Sequence, residues 1–324
     1  MGVAGNPAVY RIAGGSPIYV SSWGAVGGGR PVTWMSQSQF DSLPSYPADG
    51  TFLNGSGGTV YRVAGGAPIG VSDWSTVGGP QSYTTVDQFS IDHPELPISH
   101  LRQFPADGTL ISTSGDGRVY TIAGGAPLYV SSWDSIGGAR PAVGVDRWAV
   151  ENPSNPAAHL RRFPQDSTYL ASSSGAVYIV AGGAPMFLSN WNHVGGAHPY
   201  TRVDQWAIDT TSGPFAHLRN YPANGTFLNS TTGHVYRIAG GAPFALSAWS
   251  LFGGMRHYTT VDEWDFRHRR SPAAHLRVTP ADGTIVKGLP SRRYWAFHRG
   301  HRSRTNSRSR ATTVDDFGIK HFSP

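Results

Sequence analysis

The stretch Val119–Trp133, VYTIAGGAPLYVSSW, decides the fold because close copies of it recur along the whole chain. Further copies begin at Val9, Val60, Val177 and Val235, and a degenerate sixth lies around Tyr294. The equivalent tyrosines are separated by 51, 59, 58, 58 and 58 residues. A nearly fixed period of this length is typical of propellers, solenoids and repeat arrays. The chain is therefore one unit copied six times.

The third copy shows what one unit is expected to contain. Residues 119–123 predict a strand, Gly124-Gly125 a tight turn and residues 127–130 an antiparallel return, because two glycines suit hairpin turns. A leading strand is expected at Leu110 and Ile111, a short helical turn near Trp133, and a further strand or turn around residues 145–148. Each repeat should thus hold three or four short strands and one helical turn.

Composition agrees with a turn-rich all-β protein, with 41 glycines, 24 prolines and only 14% charged residues. We expect a single repeat domain over residues 1–324, with repeats at about 1–47, 48–105, 106–164, 165–222, 223–280 and 281–324. A six-bladed β-propeller is the favoured arrangement, because each small sheet needs a neighbour to cover its apolar face. An open β-solenoid and a bead-like array are the alternatives.

Several functional classes find no support in the sequence. The chain has no cysteine, which excludes disulfides and thiol catalysis, and no apolar stretch long enough to span a membrane. It shows no HExxH, Gly-x-Ser-x-Gly or phosphate-loop motif. The amino end, MGVAGNPAVYR, lacks the regions of a signal peptide, so we expect any export to depend on a leader or domain outside this sequence.

Positive charge is concentrated at the end of the chain. From Met255 onward there are fourteen Lys and Arg against six Asp and Glu, whereas the whole chain has a net charge of +6. The run from Arg292 to Arg310 interleaves arginines with Tyr294, Trp295 and Phe297. This pattern fits contact with an acidic protein or polyanion, and it equally fits the polar outer face of a terminal repeat. We do not expect nucleic acid as a partner.

Two sets of aromatic residues hold equivalent positions in successive repeats. The first set is Trp23, Trp74, Trp133, Trp191 and Trp249, and the second is Phe89, Trp148, Trp206 and Trp264. Flat rings suit stacking on sugars, and equivalent sites would add avidity. The structural alternative is that both sets fill the core of a small repeat.

Acidic pairs with a five-residue spacing also recur, as in Asp87 with Asp92, Asp146 with Glu151, and Asp204 with Asp209. Facing carboxylates can serve a glycosidase or a calcium site. An active site in several repeats of one chain would be unusual, however. The structural alternative is that the first aspartate caps the turn or helix that follows it.

The tripeptide His-Leu-Arg returns in four repeats, at His100, His159, His217 and His275. In an extended segment the histidine and arginine would project to one face and could bind an anion. A salt bridge from the arginine to a nearby aspartate is the structural alternative.

The consensus strings VYRIAGGAPxYVSSW, TTVDQ and HLRxxPADGT resemble the tandem repeats of secreted and surface proteins of actinomycete bacteria. The resemblance covers nearly the whole chain, and both the first and the sixth repeats depart from it. It implies an extracellular or cell-surface location and a binding or adhesion role.

We therefore predict a non-enzymatic, multivalent module that binds a glycan or cell-wall polymer and uses no metal or cofactor. The candidate ligand-binding residues are Tyr83, Asp87, His100, Arg102, Asp146, Trp148, His159, Arg161, Asp204, Trp206, His217, Arg219, Asp262, Trp264, His275 and Arg277. The alternative is a structural or protein-interaction scaffold that docks an acidic partner through the arginine-rich sixth repeat. An enzyme ranks third, since it would need a constellation confined to one repeat.

Overall fold

The computed structural model describes residues 1–322 and is built mainly of short strands. The chain divides into two compact units, Met1–Arg162 and Phe163–Pro324. Each unit contains three four-stranded sheets, one in each repeat. The prediction of an all-β protein made of six tandem repeats is confirmed, whereas closure of the repeats into a ring stays a prediction.

The strands of the first unit are β1 (Gly2–Val3), β2 (Val9–Ala13), β3 (Ser16–Val20), β4 (Trp34–Met35), β5 (Phe52–Gly55), β6 (Val60–Ala64), β7 (Ala67–Val71), β8 (Thr84–Val86), β9 (Leu110–Thr113), β10 (Val119–Ala123), β11 (Ala126–Val130) and β12 (Val143–Val145). Those of the second unit are β13 (Tyr169–Ser172), β14 (Val177–Ala181), β15 (Ala184–Leu188), β16 (Thr201–Val203), β17 (Phe227–Ser230), β18 (Val235–Ala239), β19 (Ala242–Ala245), β20 (Thr259–Val261), β21 (Ile285–Leu289), β22 (Tyr294–His298), β23 (His301–Arg304) and β24 (Thr312–Asp315).

The helices are all short. The α-helices are α1 (Gln37–Asp41), α2 (Gln88–Asp92), α3 (Arg147–Glu151), α4 (Gln205–Asp209), α5 (Glu263–Arg267) and α6 (Asp316–Lys320). The 3-10 helices are Trp23–Val26, Trp74–Val77, Pro97–Ser99, Trp133–Ile136, Pro156–Ala158, Trp191–Val194, Trp249–Phe252 and Pro272–Ala274. None of the helices described for residues 1–322 has the length and apolar character needed to cross a bilayer.

The third repeat shows the common sheet topology. Strand β10 lies between β9 and β11 and is antiparallel to both, as the Gly-Gly hairpin predicts. Strand β12 returns to the far edge and runs parallel to β9, giving the order β11-β10-β9-β12. The 3-10 helix that begins at Trp133 lies on this crossover. The first five repeats thus contain the predicted helical turn, and all six contain a fourth strand.

The Gly-Gly turns also join neighbouring repeats. At Gly65 φ is +55°, and a Cβ there would lie 2.8 Å from the backbone nitrogen of Ala106. The Ala106 N–H donates to the Gly65 carbonyl at 3.0 Å, and the Arg102 N–H donates to Gly66 at 2.9 Å. Glycine is therefore required for close approach as well as for the positive φ. The second unit repeats this arrangement where Ala223 N–H donates to Gly182.

The hydrophobic core is shared between adjacent repeats. In the first unit, Ile69 of the second repeat packs with Ile111, Ile122 and Val145 of the third. In the second unit, Met186 of the fourth repeat lies in one cluster with residues of the fifth, including Leu228, Ile238 and Val261. All of these side chains are buried. Within each unit, neighbouring sheets therefore cover each other's apolar faces, as expected for tandem repeats.

The first and last repeats are more complete than their sequences indicate. In the first repeat, strand β1 stands where the other repeats have the strand after Asp-Gly-Thr, and it pairs with β2 and β4. In the sixth repeat, strand β24 pairs with β21 and leads into α6. Both repeats thus reach the full set of four strands.

Candidate functional site

A pair of aromatic rings at the surface, one tryptophan and one tyrosine, recurs in repeats two, four and five. The centroids of Trp74 and Tyr83 lie 6.2 Å apart with an interplanar angle of 25°. Trp249 and Tyr258 give 6.1 Å and 27°, and Trp191 and Tyr200 give 6.3 Å and 32°. We call these three tryptophan–tyrosine pairs the aromatic platforms. The same ring pair therefore occurs once in the first unit and twice in the second.

Local structure fixes each platform. Trp74 opens a 3-10 helix whose N-cap, Asp73, accepts a hydrogen bond from the Ser75 N–H at 2.8 Å, and Gly78 ends this helix with φ of +87°. Beneath the tryptophan lies a ring of the first strand of the sheet, Phe52, at 5.5 Å. Tyr169 under Trp191 and Phe227 under Trp249 repeat this support at 5.4 and 5.1 Å. The tryptophan is held from below while its partner tyrosine stays accessible.

The platform tyrosines are not needed by the repeat fold. Tyr83 and Tyr200 are 52% and 53% exposed. The first and third repeats have Val32 and Ala142 nine residues after their tryptophans, in the place of the tyrosine. In the third repeat, Trp133 and Ala142 both pack against a small apolar cluster. A repeat can therefore form without this tyrosine.

Tyr83 is among the residues predicted from the sequence, whereas the first tryptophan set was left open between stacking on sugars and the core. In the structure these tryptophans are half-buried or exposed, with Trp23 at 38% exposure. In repeats two, four and five the tyrosine follows the tryptophan by nine residues. This constant spacing could have identified the two residues as a pair. Trp74, Trp191, Trp249, Tyr200 and Tyr258 are thus candidates that the sequence prediction missed.

Three members of the second aromatic set pack against the preceding repeat. Trp264 contacts the Phe187 ring of β15 at 4.7 Å, and Phe89 contacts Tyr19 of β3 at 6.0 Å. Trp148 lies against Gly70 of β7, where a Cβ would stand 3.4 Å from the tryptophan ring. Trp148, Trp206 and Trp264 are all half-buried. This geometry gives Phe89, Trp148 and Trp264 a role in joining repeats.

The candidate aspartates Asp87, Asp146, Asp204 and Asp262 are buried, with exposures of 1% to 4%. Each caps a short helix by accepting from the second backbone N–H that follows it. Asp146 Oδ2 also accepts from the Ser72 N–H at 2.6 Å and the Ser72 hydroxyl at 2.5 Å. These aspartates therefore have the helix-capping role that was the alternative to ligand binding or catalysis.

This contact joins a serine of one repeat to the aspartate of the next, and we call it the serine–aspartate clasp. It recurs from Ser21 to Asp87, from Ser189 to Asp262 and from Ser247 to Asp315. Asp315 was missed by the sequence analysis, although Thr312–Asp316 repeats the Thr-Thr-Val-Asp pattern. The hydrogen bonds from Ser189, His193 and backbone amides outweigh burial and lower the pKa of Asp262. Asp262 is therefore ionised at neutral pH.

The two carboxylates of each acidic pair have different surroundings. Asp87 is buried in its clasp, whereas Asp92 is exposed and accepts from Gln88 Nε2 at 2.8 Å. Asp209 accepts from Gln205 in the same way at 2.9 Å. Among residues 1–322 no three His, Asp or Glu side chains come together as a possible metal site.

The His-Leu-Arg segments are not extended strands. His100, His159 and His275 have φ of 51°, 46° and 47°, and each ends a 3-10 helix. His217 is buried, with 6% exposure. The leucines are buried, and the arginines lie over aromatic rings of the preceding repeat at 4.2 to 4.5 Å. These rings are Tyr46 for Arg102, Phe104 for Arg161, Phe163 for Arg219 and Tyr221 for Arg277.

No family model, curated protein or solved structure matches this chain.

Proposed function

We propose that this protein is a non-enzymatic, multivalent module that binds a glycan or cell-wall polymer. The observation that carries the proposal is the recurrence of the aromatic platforms on repeats two, four and five. A sugar ring presents a flat face of C–H groups, which packs well against an aromatic face. Rings held in advance by a third aromatic residue lose little conformational entropy when a ligand binds.

Repetition suits a polymer of repeating sugars. Each platform alone would bind weakly, because a single exposed pair buries little area. A polymer that reaches two platforms at once gains the effective concentration of the second contact. A location outside the cell or on its surface, where such polymers are found, belongs to the same proposal.

Replacing Tyr83, Tyr200 and Tyr258 together by alanine should abolish most polymer binding. Stacking on one aromatic ring contributes about 0.5–1.5 kcal/mol, so we expect each substitution alone to weaken binding by roughly two- to tenfold. The triple variant should lose more than any single variant because avidity is lost as well. Binding is measured by pull-down on purified cell walls and insoluble polysaccharides, together with a glycan array.

The third repeat provides a matched control for this experiment. Alanine is its natural residue at the platform position, so the tyrosine substitutions should leave thermal unfolding nearly unchanged. The reverse substitution, Ala142→Tyr, should build a fourth platform beside Trp133 and strengthen binding. Polymer binding that is unaffected by the triple variant and by Ala142→Tyr would contradict the proposal.

A second candidate function rests on the sixth repeat. Strand β23 is the outermost strand of its sheet, and Arg302 and Arg304 lie over Trp295 at 5.1 and 5.9 Å. The exposed arginines of this repeat are Arg292, Arg293, Arg299, Arg304, Arg308 and Arg310. This surface suits a scaffold that docks an acidic partner through charge.

Salt separates the two candidates. Docking by exposed arginines should weaken steeply between low and about 0.5 M salt, because charges separated by more than a Debye length of about 4–10 Å are screened. Stacking on sugars should change little. The variant Arg304→Ser with Arg308→Ser tests the charged surface, since both side chains are exposed. Salt-resistant binding that this variant leaves intact favours the aromatic platforms.

A further inference from the structure

Two equivalent pockets lie between neighbouring repeats, away from the aromatic platforms. The first is between repeats two and three, has a volume of about 680 Å³, and includes Tyr61, Asp92 and His159 in its lining. The second is between repeats four and five, has a volume of about 740 Å³, and includes Tyr178, Asp209 and His275. Both volumes lie in the range of small-ligand sites. We call these two cavities the junction pockets.

The histidine in each junction pocket is a hydrogen-bond acceptor. His159 Nδ1 lies 3.2 Å from the Gln103 carbonyl oxygen, and His275 Nδ1 lies 3.0 Å from that of Asn220. A carbonyl only accepts, so Nδ1 carries the hydrogen and Nε2 of the neutral ring accepts. Burial lowers the pKa of both histidines, against the opposing effect of these hydrogen bonds, and keeps the rings neutral at pH 7.

The carboxylate in each junction pocket is a second acceptor. Asp92 and Asp209 are exposed at the pocket wall, and each is steadied by a glutamine of its own helix. In the first pocket, the same glutamine amide also reaches the Tyr61 hydroxyl at 3.3 Å. A carboxylate and an imidazole that both accept select a ligand with several donors, such as vicinal hydroxyls.

The remaining walls suit the apolar face of a ring. Tyr61 stands edge-on to His159 at 6.0 Å, and Tyr178 stands edge-on to His275 at 6.3 Å. Pro156 and Pro272 line equivalent positions of the two pockets. The second pocket also includes Arg269 and Arg270, which disfavour a cationic ligand there. A neutral ligand with many hydroxyl groups satisfies both pockets.

In the first repeat, a phenylalanine stands at the helix position that Ile91 has in the second repeat. Phe40 in α1 corresponds to Ile91 in α2 and packs against both Tyr10, at 4.8 Å, and His100, at 5.8 Å. Asp41 keeps the local hydrogen bond from Gln37 at 2.7 Å. Tyr10 and His100 remain in edge contact at 6.0 Å, as Tyr61 and His159 are in the first junction pocket. The fold therefore accepts an apolar ring against these two side chains.

The geometry points to the junction pockets as sites for a single pyranose residue, whose hydroxyls donate to Asp92 and His159 in one pocket and to Asp209 and His275 in the other. A free monosaccharide, a chain end or a branch could supply this residue. The inference takes its ligand class from the proposed function but uses different residues. The platforms would contact the flat faces along a polymer, whereas the pockets would hold one sugar unit each.

The test uses the full chain and free monosaccharides. Glucose, galactose, mannose and N-acetylglucosamine are first screened by saturation-transfer NMR, and the number of sugars bound per chain is then measured by equilibrium dialysis at saturation. We expect at least one sugar to bind, and the double variant Asp92→Asn with Asp209→Asn to bind two fewer molecules per chain. The same substitution at Asp41 is the control and should change nothing.

Three results would overturn the inference: no sugar in the screen binds, the double variant keeps the full number of sites, or Asp41→Asn has an equal effect. The triple platform variant distinguishes this proposal from the previous one. The triple platform variant should bind free monosaccharide normally but lose binding to the polymer. The double variant at Asp92 and Asp209 should lose monosaccharide binding but keep binding to the polymer. Failure of one proposal is therefore visible separately from failure of the other.

Discussion

Asp146→Ala should lower the free energy of unfolding by about 2–4 kcal/mol, since it removes a helix N-cap and two further hydrogen bonds, each of which contributes roughly 1 kcal/mol. Asp146 is 1% exposed and accepts from the Ser72 N–H, the Ser72 hydroxyl and the Trp148 N–H. The substitution leaves all three donors without this acceptor. It also removes the N-cap of α3 and one clasp between the second and third repeats.

Urea unfolding followed by circular dichroism gives the measurement, with Asp92→Ala as the matched control. Asp92 is exposed and accepts only a local hydrogen bond from Gln88, so its loss should cost less than about 0.5 kcal/mol. Asp146→Asn keeps an acceptor oxygen and should fall between the two. A loss below about 1 kcal/mol for Asp146→Ala would contradict a structural role and return this carboxylate to the ligand-binding candidates.

Asp265→Ala should act in the opposite direction and stabilise the protein at neutral pH. Asp265 is fully buried, and its Oδ1 accepts from the Phe187 N–H at 3.2 Å. Its Oδ2 is buried with no hydrogen-bond partner among the described residues. The third and fourth repeats have Ala149 and Ala207 at this helix position, so alanine fits the site. Removing a poorly satisfied buried group should gain about 1–3 kcal/mol.

The pH dependence provides a separate signature of the same group. Burial, together with the nearby Asp262 carboxylate and against the hydrogen bond from Phe187, raises the pKa of Asp265 well above its usual value of 3.8. The folded state therefore holds a proton that the unfolded chain releases near pH 4. Stability contributed by this group is present below that pH and is lost as pH rises towards the folded-state pKa. Wild type should thus lose stability over this interval relative to Asp265→Ala.

Thermal unfolding of both proteins at half-unit steps from pH 3.5 to 8 measures the difference. The gap should be smallest at acidic pH and widen to its full size at neutral pH. Asp265→Asn, which cannot ionise, should lose the pH-dependent part while keeping a polar group at the site. A constant gap across this range would show that Asp265 does not titrate as its surroundings require.

The sequence predicted those features that a single repeat determines. The Gly-Gly hairpin, the helical turn at each tryptophan and the six-fold repetition all follow from residues close together in the chain. The roles of the repeated polar residues did not follow, because their partners lie in another repeat. The hydrogen bond from Ser72 to Asp146 spans 74 residues, and Arg161 lies over a ring, Phe104, that has no charge to signal the contact.

The candidate site was predicted only in part for the same reason. Tyr83 was predicted as a ligand-binding residue, whereas Trp74 was left open between stacking on sugars and a place in the core. Hydrophobic residues at regular positions usually are core, and periodicity alone does not distinguish a supported surface ring from a buried one. The absence of the tyrosine from the third repeat is the informative difference, and its meaning depends on the contact between the two rings.

The serine–aspartate clasp also bears on how such a chain can grow. The second and fifth repeats each carry both halves of the contact: an aspartate that accepts from the previous repeat and a serine that donates to the following one. Tandem duplication of one 58-residue segment of the gene therefore produces a neighbour whose donors and acceptors already match on both sides. New copies can enter the chain without compensating mutations elsewhere, and their loops are then free to diverge.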